Sequence, residues 1–249
     1  MDKTSDWMER FLRDTAWEKG KTAVEKPEGP PPPPEKSCPS GARVINLTEP
    51  GLLDDVPVNF LETVELRASV RRYNDEPLSF KEMSFLLWCT QGVKMGTPQG
   101  TTLRNVPSAG ARHALETYLF IQRVEGLEAG LYRFLALGNA LLPIETGTEV
   151  AEKLLPCFMG QPMIDASAVT FLWAADFKRM AYRYGRRSAR FIFLDAGHVC
   201  QNLYLAAQAT GVGVCAVGAF YDEALNAALG LDGENEFVVY GATAGKPVR

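Results

Sequence analysis

The stretch from Arg190 to Thr210 does most to constrain what this chain can fold into. It suits one long helix closed by Gly211, and Phe191, Leu194, Leu205 and the pair Ala206 and Ala207 leave apolar or small groups around most of its circumference. Such a helix has no broad side fit for water. It must be covered by its own domain and, over the remainder, by a second copy of the chain, so a tight homodimer is expected. Asp195, His198, Gln201 and Asn202 also fall inside it, and polar groups in a packed helix usually satisfy one another's hydrogen bonds instead of catalysing.

The remaining elements arrange themselves around that helix. Asn59 caps a short helix running through Glu65, and Ser79 caps a second, Phe80 to Thr90, with Met83, Leu86, Leu87 and Trp88 on one side and Gly92 as its stop. Glu116 to Val124 is rich in β-branched and aromatic residues, and Gly130 to Phe134 reads as its hairpin partner. Further strands are predicted at Ala168 to Ala174, Val212 to Phe220 and Phe237 to Ala242, with a helix at Asp222 to Leu229. The pattern is α+β, a sheet with helices on its faces. With 249 residues, 46% of them hydrophobic, residues 43–249 make one sizeable domain. Residues 1–42 form an arm: an amphipathic stretch from Trp7 to Trp17, then Pro30 to Pro34, which favours extended polyproline II. Trp7, Phe11, Leu12 and Trp17 are costly to leave in water, which favours an arm packed on the partner subunit over a disordered linker.

Charge and composition exclude several classes. A formal net charge of -4 and the absence of a dense Lys/Arg stripe argue against nucleic acid as a partner. Met1 to Arg13 lacks the apolar core of a signal peptide, and no apolar run is long enough to cross a bilayer. Five cysteines without paired short spacings and two histidines, His113 and His198, suit neither a disulfide framework nor a metal site, so a cytoplasmic protein with no metal is expected. An organic cofactor is the better carrier for any demanding chemistry.

The chemistry concentrates in four stretches. In extended chain, Arg67, Ser69 and Arg71 share one side while Val70 faces inward, which sets two guanidiniums and a hydroxyl on one phosphate-sized anion. Pro107-Ser108-Ala109-Gly110 leads into the strand at Glu116, and its small residues let backbone approach a flat ring. Gly218 and Ala219 end a buried strand and offer a second close approach. Lys246 and Arg249 follow the last strand and can return to the anion held by Arg67. Each stretch has an ordinary alternative as a turn or a basic tail.

These stretches, with RASVRRY at Arg67 to Tyr73, PLSFKEMSFLLWCTQG at Pro77 to Gly92, PSAGARH at Pro107 to His113, GLYRF at Gly130 to Phe134 and LDAGHVCQNLYLAAQATGVG at Leu194 to Gly213, resemble the nitroreductase superfamily over residues 43–249. The likeness is to its SagB-type, thiazole-oxidase-like branch. The resemblance implies a mainly antiparallel sheet flanked by helices in an intertwined homodimer with two FMN molecules at the interface. It implies Arg67 and Ser69 on the FMN phosphate, Arg71 at the pyrimidine edge near N1 and O2, and Gly218 and Ala219 near N5 and O4. Pro107, Ser108, Ala109 and Gly110 would reach the ring from the other subunit, and Lys246 and Arg249 would close the phosphate site.

The implied activity is hydride transfer from NADH or NADPH through FMN to a small acceptor such as a quinone or nitroaromatic, by a ping-pong mechanism, with Arg71 as the electrostatic catalyst. An alternative is an azoline dehydrogenase of peptide modification, whose branch carries a Lys-Tyr pair before a glycine. Here the corresponding positions are Arg183-Tyr184-Gly185, and arginine is a poor proton acceptor. Tyr184 remains a candidate donor. No segment reads as a docking domain for a leader peptide, and a third reading is a flavin-binding protein without turnover.

Overall fold

The computed structural model describes residues 3–17, 29–49, 59–98 and 100–248. Its strands are β1 (Ile45–Asn46), β2 (Val93–Gly96), β3 (Thr102–Arg104), β4 (Leu115–Ile121), β5 (Gly130–Leu135), β6 (Ala140–Thr146), β7 (Val169–Asp176), β8 (Gly213–Val217) and β9 (Glu236–Gly245). Its helices are α1 (Lys3–Asp14), α2 (Phe60–Leu66), α3 (Phe80–Gln91), α4 (Glu149–Leu154), α5 (Pro162–Ala166), α6 (Phe177–Tyr184), α7 (Ser188–Ala209) and α8 (Asp222–Leu229). Seven strands form one sheet in the order β1-β6-β5-β4-β7-β9-β8, and every paired neighbour runs antiparallel. Strands β2 and β3 form a separate hairpin.

Because side chains alternate across a strand, β4 and β7 feed two cores. Leu119, Phe171 and Trp173 meet Met83, Leu87, Val199 and Leu203 of α3 and α7 on one face. Tyr118, Phe120 and Leu172 meet Leu154, Phe158, Ile164 and Leu225 on the other. Every residue of β4 is therefore buried, which explains why its sequence does not alternate. The predicted α+β architecture with a mainly antiparallel sheet is the one observed. Asn59 and Ser79 are the N-caps of α2 and α3, the latter as a capping box with Glu82, and Gly92 is the C-cap of α3.

Two features add to the sequence reading. Strands β1, β2, β3 and β6 and helices α4, α5 and α6 are additional. The arm, expected on a partner subunit, hydrogen-bonds to its own chain through its backbone, while Trp7, Leu12 and Trp17 stay exposed. Arg104 donates to the Pro34 carbonyl at 2.9 Å, the Lys36 amide to Glu116 Oε1 at 2.8 Å, and Arg133 to the Ser37 carbonyl at 2.8 Å. Further along, Arg187 and Arg190 of the α6–α7 region donate to the Thr15 carbonyl at 3.0 Å and the Leu12 carbonyl at 2.7 Å. The physical reason is that the sheet end carries Arg104, Arg133 and Glu116 at 6% exposure or less, and buried charges need partners that the extended, Pro-rich backbone supplies.

Candidate functional site

Helix α2 stops at Arg67, whose backbone (φ -55°, ψ 120°) turns the chain into an extended strip. Ser69 pairs in parallel with Val214 of β8, and the Val70 amide donates to the Val214 carbonyl at 2.8 Å. Val70 packs so closely on Gly213 that a methyl there would lie 2.7 Å from Val70 Cγ1, which fixes the inward residue of the strip. Tyr73 locks the far end, its buried hydroxyl donating to the Val70 carbonyl at 2.7 Å and lying 2.8 Å from Thr243 Oγ1. Burial pushes that phenol's pKa well up, so it stays a neutral bolt.

On the outer side, Ser69 Oγ lies 3.0 Å from the Tyr204 hydroxyl, which accepts the Ala216 amide at 2.7 Å, while the Arg67 guanidinium sits 5.2 Å over the Tyr204 ring. Arg71 is exposed, close enough to β8 that its charge opposes the burial that raises the Cys215 thiol. Among the described residues neither Arg67 nor Arg71 has a carboxylate partner. The strip therefore has the inward and outward sides expected of it. Nothing in the sequence singles out Tyr204, which organises it; only the fold brings that residue to Ser69.

The second stretch is a tight 3₁₀ turn, Ala109–Ala111, with φ positive at Gly110, Ala111 and His113. Ser108 Oγ accepts the His113 amide at 2.9 Å, and Asp195 Oδ1 of α7 accepts the Ala109 amide at 3.3 Å. Burial raises the Asp195 pKa, opposed by Ser108, the Ala109 amide and His198. His113 is buried beside Arg104 and Arg179, and its pKa falls to about 3, burial being the larger cause. Pro107 precedes the turn and is exposed. Tyr184, at the end of α6, lies over Gly110: a methyl on that glycine would come within 2.5 Å of the Tyr184 hydroxyl and 3.0 Å of Arg183 Cδ. His198 and Gln201, read from sequence as packed polar groups, are exposed in the single chain, whereas Asn202 donates to the Cys89 carbonyl at 2.9 Å.

Gly218 and Ala219 follow β8 and are exposed, with the Ala219 carbonyl accepting from Gln161 at 2.6 Å. Among the described residues a methyl on Gly218 would meet only Tyr240, at 3.8 Å, so none of them requires glycine there. The C-terminal strip returns to the first stretch through its backbone, the Asn74 amide donating to the Lys246 carbonyl at 2.9 Å and the Val248 amide to the Arg72 carbonyl at 3.1 Å. The Lys246 ammonium itself is paired with Glu82 of α3 and does not stand free beside Arg67. Arg249 lies outside the described residues.

Comparison with known proteins defines the class. Residues 64–246 match the model of the nitroreductase family, and the chain belongs to that family. Among relatives, the protein MJ1384 of Methanocaldococcus jannaschii, named as a candidate nitroreductase, is 35% identical over 171 residues, 68% of this chain and 84% of its own. The trifolitoxin-processing protein TfxB of Rhizobium leguminosarum bv. trifolii is 32% identical over 115 residues, 43% of this chain but only 30% of its own. A crystal structure of a candidate nitroreductase from Anabaena variabilis superposes with a TM-score of 0.75 at 28% identity, covering 97% of this chain and 47% of that one. A Desulfovibrio desulfuricans structure in complex with FMN shares the fold at 19% identity, with a TM-score of 0.55 over 78% of this chain and 88% of that one.

Proposed function

We propose that this protein is a homodimeric, FMN-dependent oxidoreductase taking hydride from NADH or NADPH and passing it to a small acceptor. The observation that carries the reading is the strip Arg67-Ala68-Ser69-Val70-Arg71, pinned to β8 with its guanidiniums, among the described residues, left without carboxylate partners. That donor set suits a terminal phosphate and the electron-rich edge of a flavin, and membership of the family supports it. Bound FMN would supply a two-electron carrier that accepts hydride at N5 and releases the pair to a second substrate in ping-pong order.

Arg67 and Ser69 would hold the phosphate, with Tyr204 keeping the Ser69 hydroxyl aimed. Arg71 would place a fixed cation where negative charge develops on reduction, lowering the barrier electrostatically. Ser108, Ala109 and Gly110, braced by Asp195, would present small residues and backbone to the ring from the other subunit, and Gly218 and Ala219 would approach its opposite edge. Lys246 would join the phosphate only by giving up Glu82 or sharing it. Tyr184, over the Gly110 turn, would line the substrate space and could donate a proton to a bound acceptor.

The test is direct. The purified protein should release FMN on denaturation and be reduced by NADH or NADPH in stopped flow, then reoxidised by a quinone or nitroaromatic. Released FAD, or failure to take up FMN, would sink the assignment. Similarity to TfxB favours one second reading, dehydrogenation of an azoline ring in a peptide. Arg183 stands where that branch has lysine, which counts against it, and oxidation of a thiazoline-containing peptide would decide for it.

A further inference from the structure

Next to the Gly110 turn the chain concentrates positive charge that it does not neutralise. Arg112 ends that turn half-buried, and its Nε is buried with no hydrogen-bond partner. Arg183 is exposed, lies across Gly110 and rests its guanidinium 5.7 Å over the Tyr184 ring. Arg112 is disfavoured as a cation first by burial, then by Arg183 and Arg179. The acids of this region pair elsewhere. Asp176 and Glu116 both bind Arg179, at 3.1 and 2.7 Å, and Asp195 accepts the Ala109 amide through one of its two oxygens. Among the described residues neither Arg112 nor Arg183 has an ion-pair partner.

Two guanidiniums held near each other without a carboxylate repel one another, and half-burial strengthens the repulsion by thinning the water between them. An arrangement that costs folding free energy at a rim is stabilised when an anion arrives, since arginine forks bind phosphate and carboxylate oxygens in pairs. Gly110 lets Tyr184 and Arg183 lie directly on its backbone. Its φ of +56° is left-handed backbone, and any side chain there would displace Tyr184 and Arg183.

We propose that Arg112 and Arg183, beside Tyr184 at the Gly110 turn, form an anion-binding subsite that selects substrates carrying a phosphate or carboxylate. This rests on the oxidoreductase reading for the identity of the substrates, but the subsite itself is a matter of binding. The phosphate source would be a nicotinamide dinucleotide and the carboxylate source an anionic acceptor.

Equilibrium titrations distinguish them. Wild type, Arg183→Gln, Arg112→Gln and Arg183→Lys are titrated with NADP+, NAD+, 4-nitrobenzoate and nitrobenzene, with flavin content recorded by visible absorption. Losing one charge-assisted contact should weaken an anionic ligand about tenfold, leave nitrobenzene unchanged, and be partly restored in Arg183→Lys. Loss confined to NADP+ assigns the subsite to the 2′-phosphate, equal loss on both dinucleotides to the pyrophosphate, and loss on 4-nitrobenzoate alone to an acceptor carboxylate. Unchanged affinity for all four ligands, or equal loss on nitrobenzene and the anions, overturns the proposal. Selective anion binding by protein that takes up no flavin would keep the subsite and remove the oxidoreductase reading.

Discussion

At the scale of single residues, position decides which arginine does what. Arg67 lies over Tyr204 beside Ser69, whereas Arg71 is two residues further along the strip and exposed. Arg71→Ala should therefore slow reduction by NADH or NADPH more than tenfold, about 1.4 kcal/mol or more in the barrier. It should weaken FMN binding less than Arg67→Ala does. Stopped-flow reduction with FMN saturating checks this, and a wild-type rate in Arg71→Ala would leave that residue a phosphate ligand only. His113 makes a second residue-scale prediction. Its pKa of about 3 in the fold lies below the ordinary 6.5, so as pH falls from 6.5 towards 3 the unfolded chain gains a proton that the folded one refuses. Stability is lost on acidification through that window, by at most about 1.4 kcal/mol per pH unit. Asparagine tolerates the left-handed backbone that His113 adopts, so His113→Asn should flatten the slope of urea-unfolding free energy against pH between 6.5 and 4. An unchanged slope would assign the acid sensitivity elsewhere. Alternation along an extended chain made the Arg67, Ser69 and Arg71 side legible in sequence. The placing of Arg183 against the Gly110 turn that Arg112 ends was not, because tertiary packing alone joins residues so far apart.

At the scale of elements, caps and patterns located α2, α3, α7, α8, β4, β5, β7, β8 and β9, because each carries a periodic or uniformly apolar run with a clear stop. The elements that escaped have local sequences at odds with their state. Strand β6 contains Pro143, tolerated because β1 pairs only with Ala140 and Leu141 and, among the described residues, the rest of that side has no partner strand. Helix α6 buries Arg179 completely, so its inner face does not read as apolar. The arm has a role its apolar residues did not signal: its backbone is what Arg104, Arg133 and Glu116 need. A chain beginning at residue 43 should lose about 3 kcal/mol or more of stability, since the five hydrogen bonds joining the arm's backbone to charged side chains disappear together. Chemical denaturation at fixed concentration measures this. Equal stability of the two chains would mean that the docked arm contributes nothing to holding the sheet end.

At the scale of the whole molecule, what is left uncovered is as informative as the core. Helix α2 packs on α7, and together they present Phe60 at 70% exposure, Leu61 at 64%, Phe193 at 57% and Leu194 at 58%. Apolar side chains this exposed are costly to leave in water, and the apolar circumference of α7 leads us to expect a second copy of the chain as their cover. The face adjoins both halves of the candidate site, because α2 ends in Arg67 and α7 carries the Asp195 that braces the Ser108–Gly110 turn. A second copy seated here would bring one subunit's turn towards the other's strip, which couples assembly to flavin binding. Phe193→Glu sets a carboxylate into that face on each copy while disturbing no buried contact of the single chain. The variant should sediment as a monomer at micromolar concentration, keep its cooperative unfolding, and lose FMN on gel filtration that wild type retains. A monomer that still holds FMN would mean the site is complete within one chain, and a variant that remains dimeric would place the interface elsewhere.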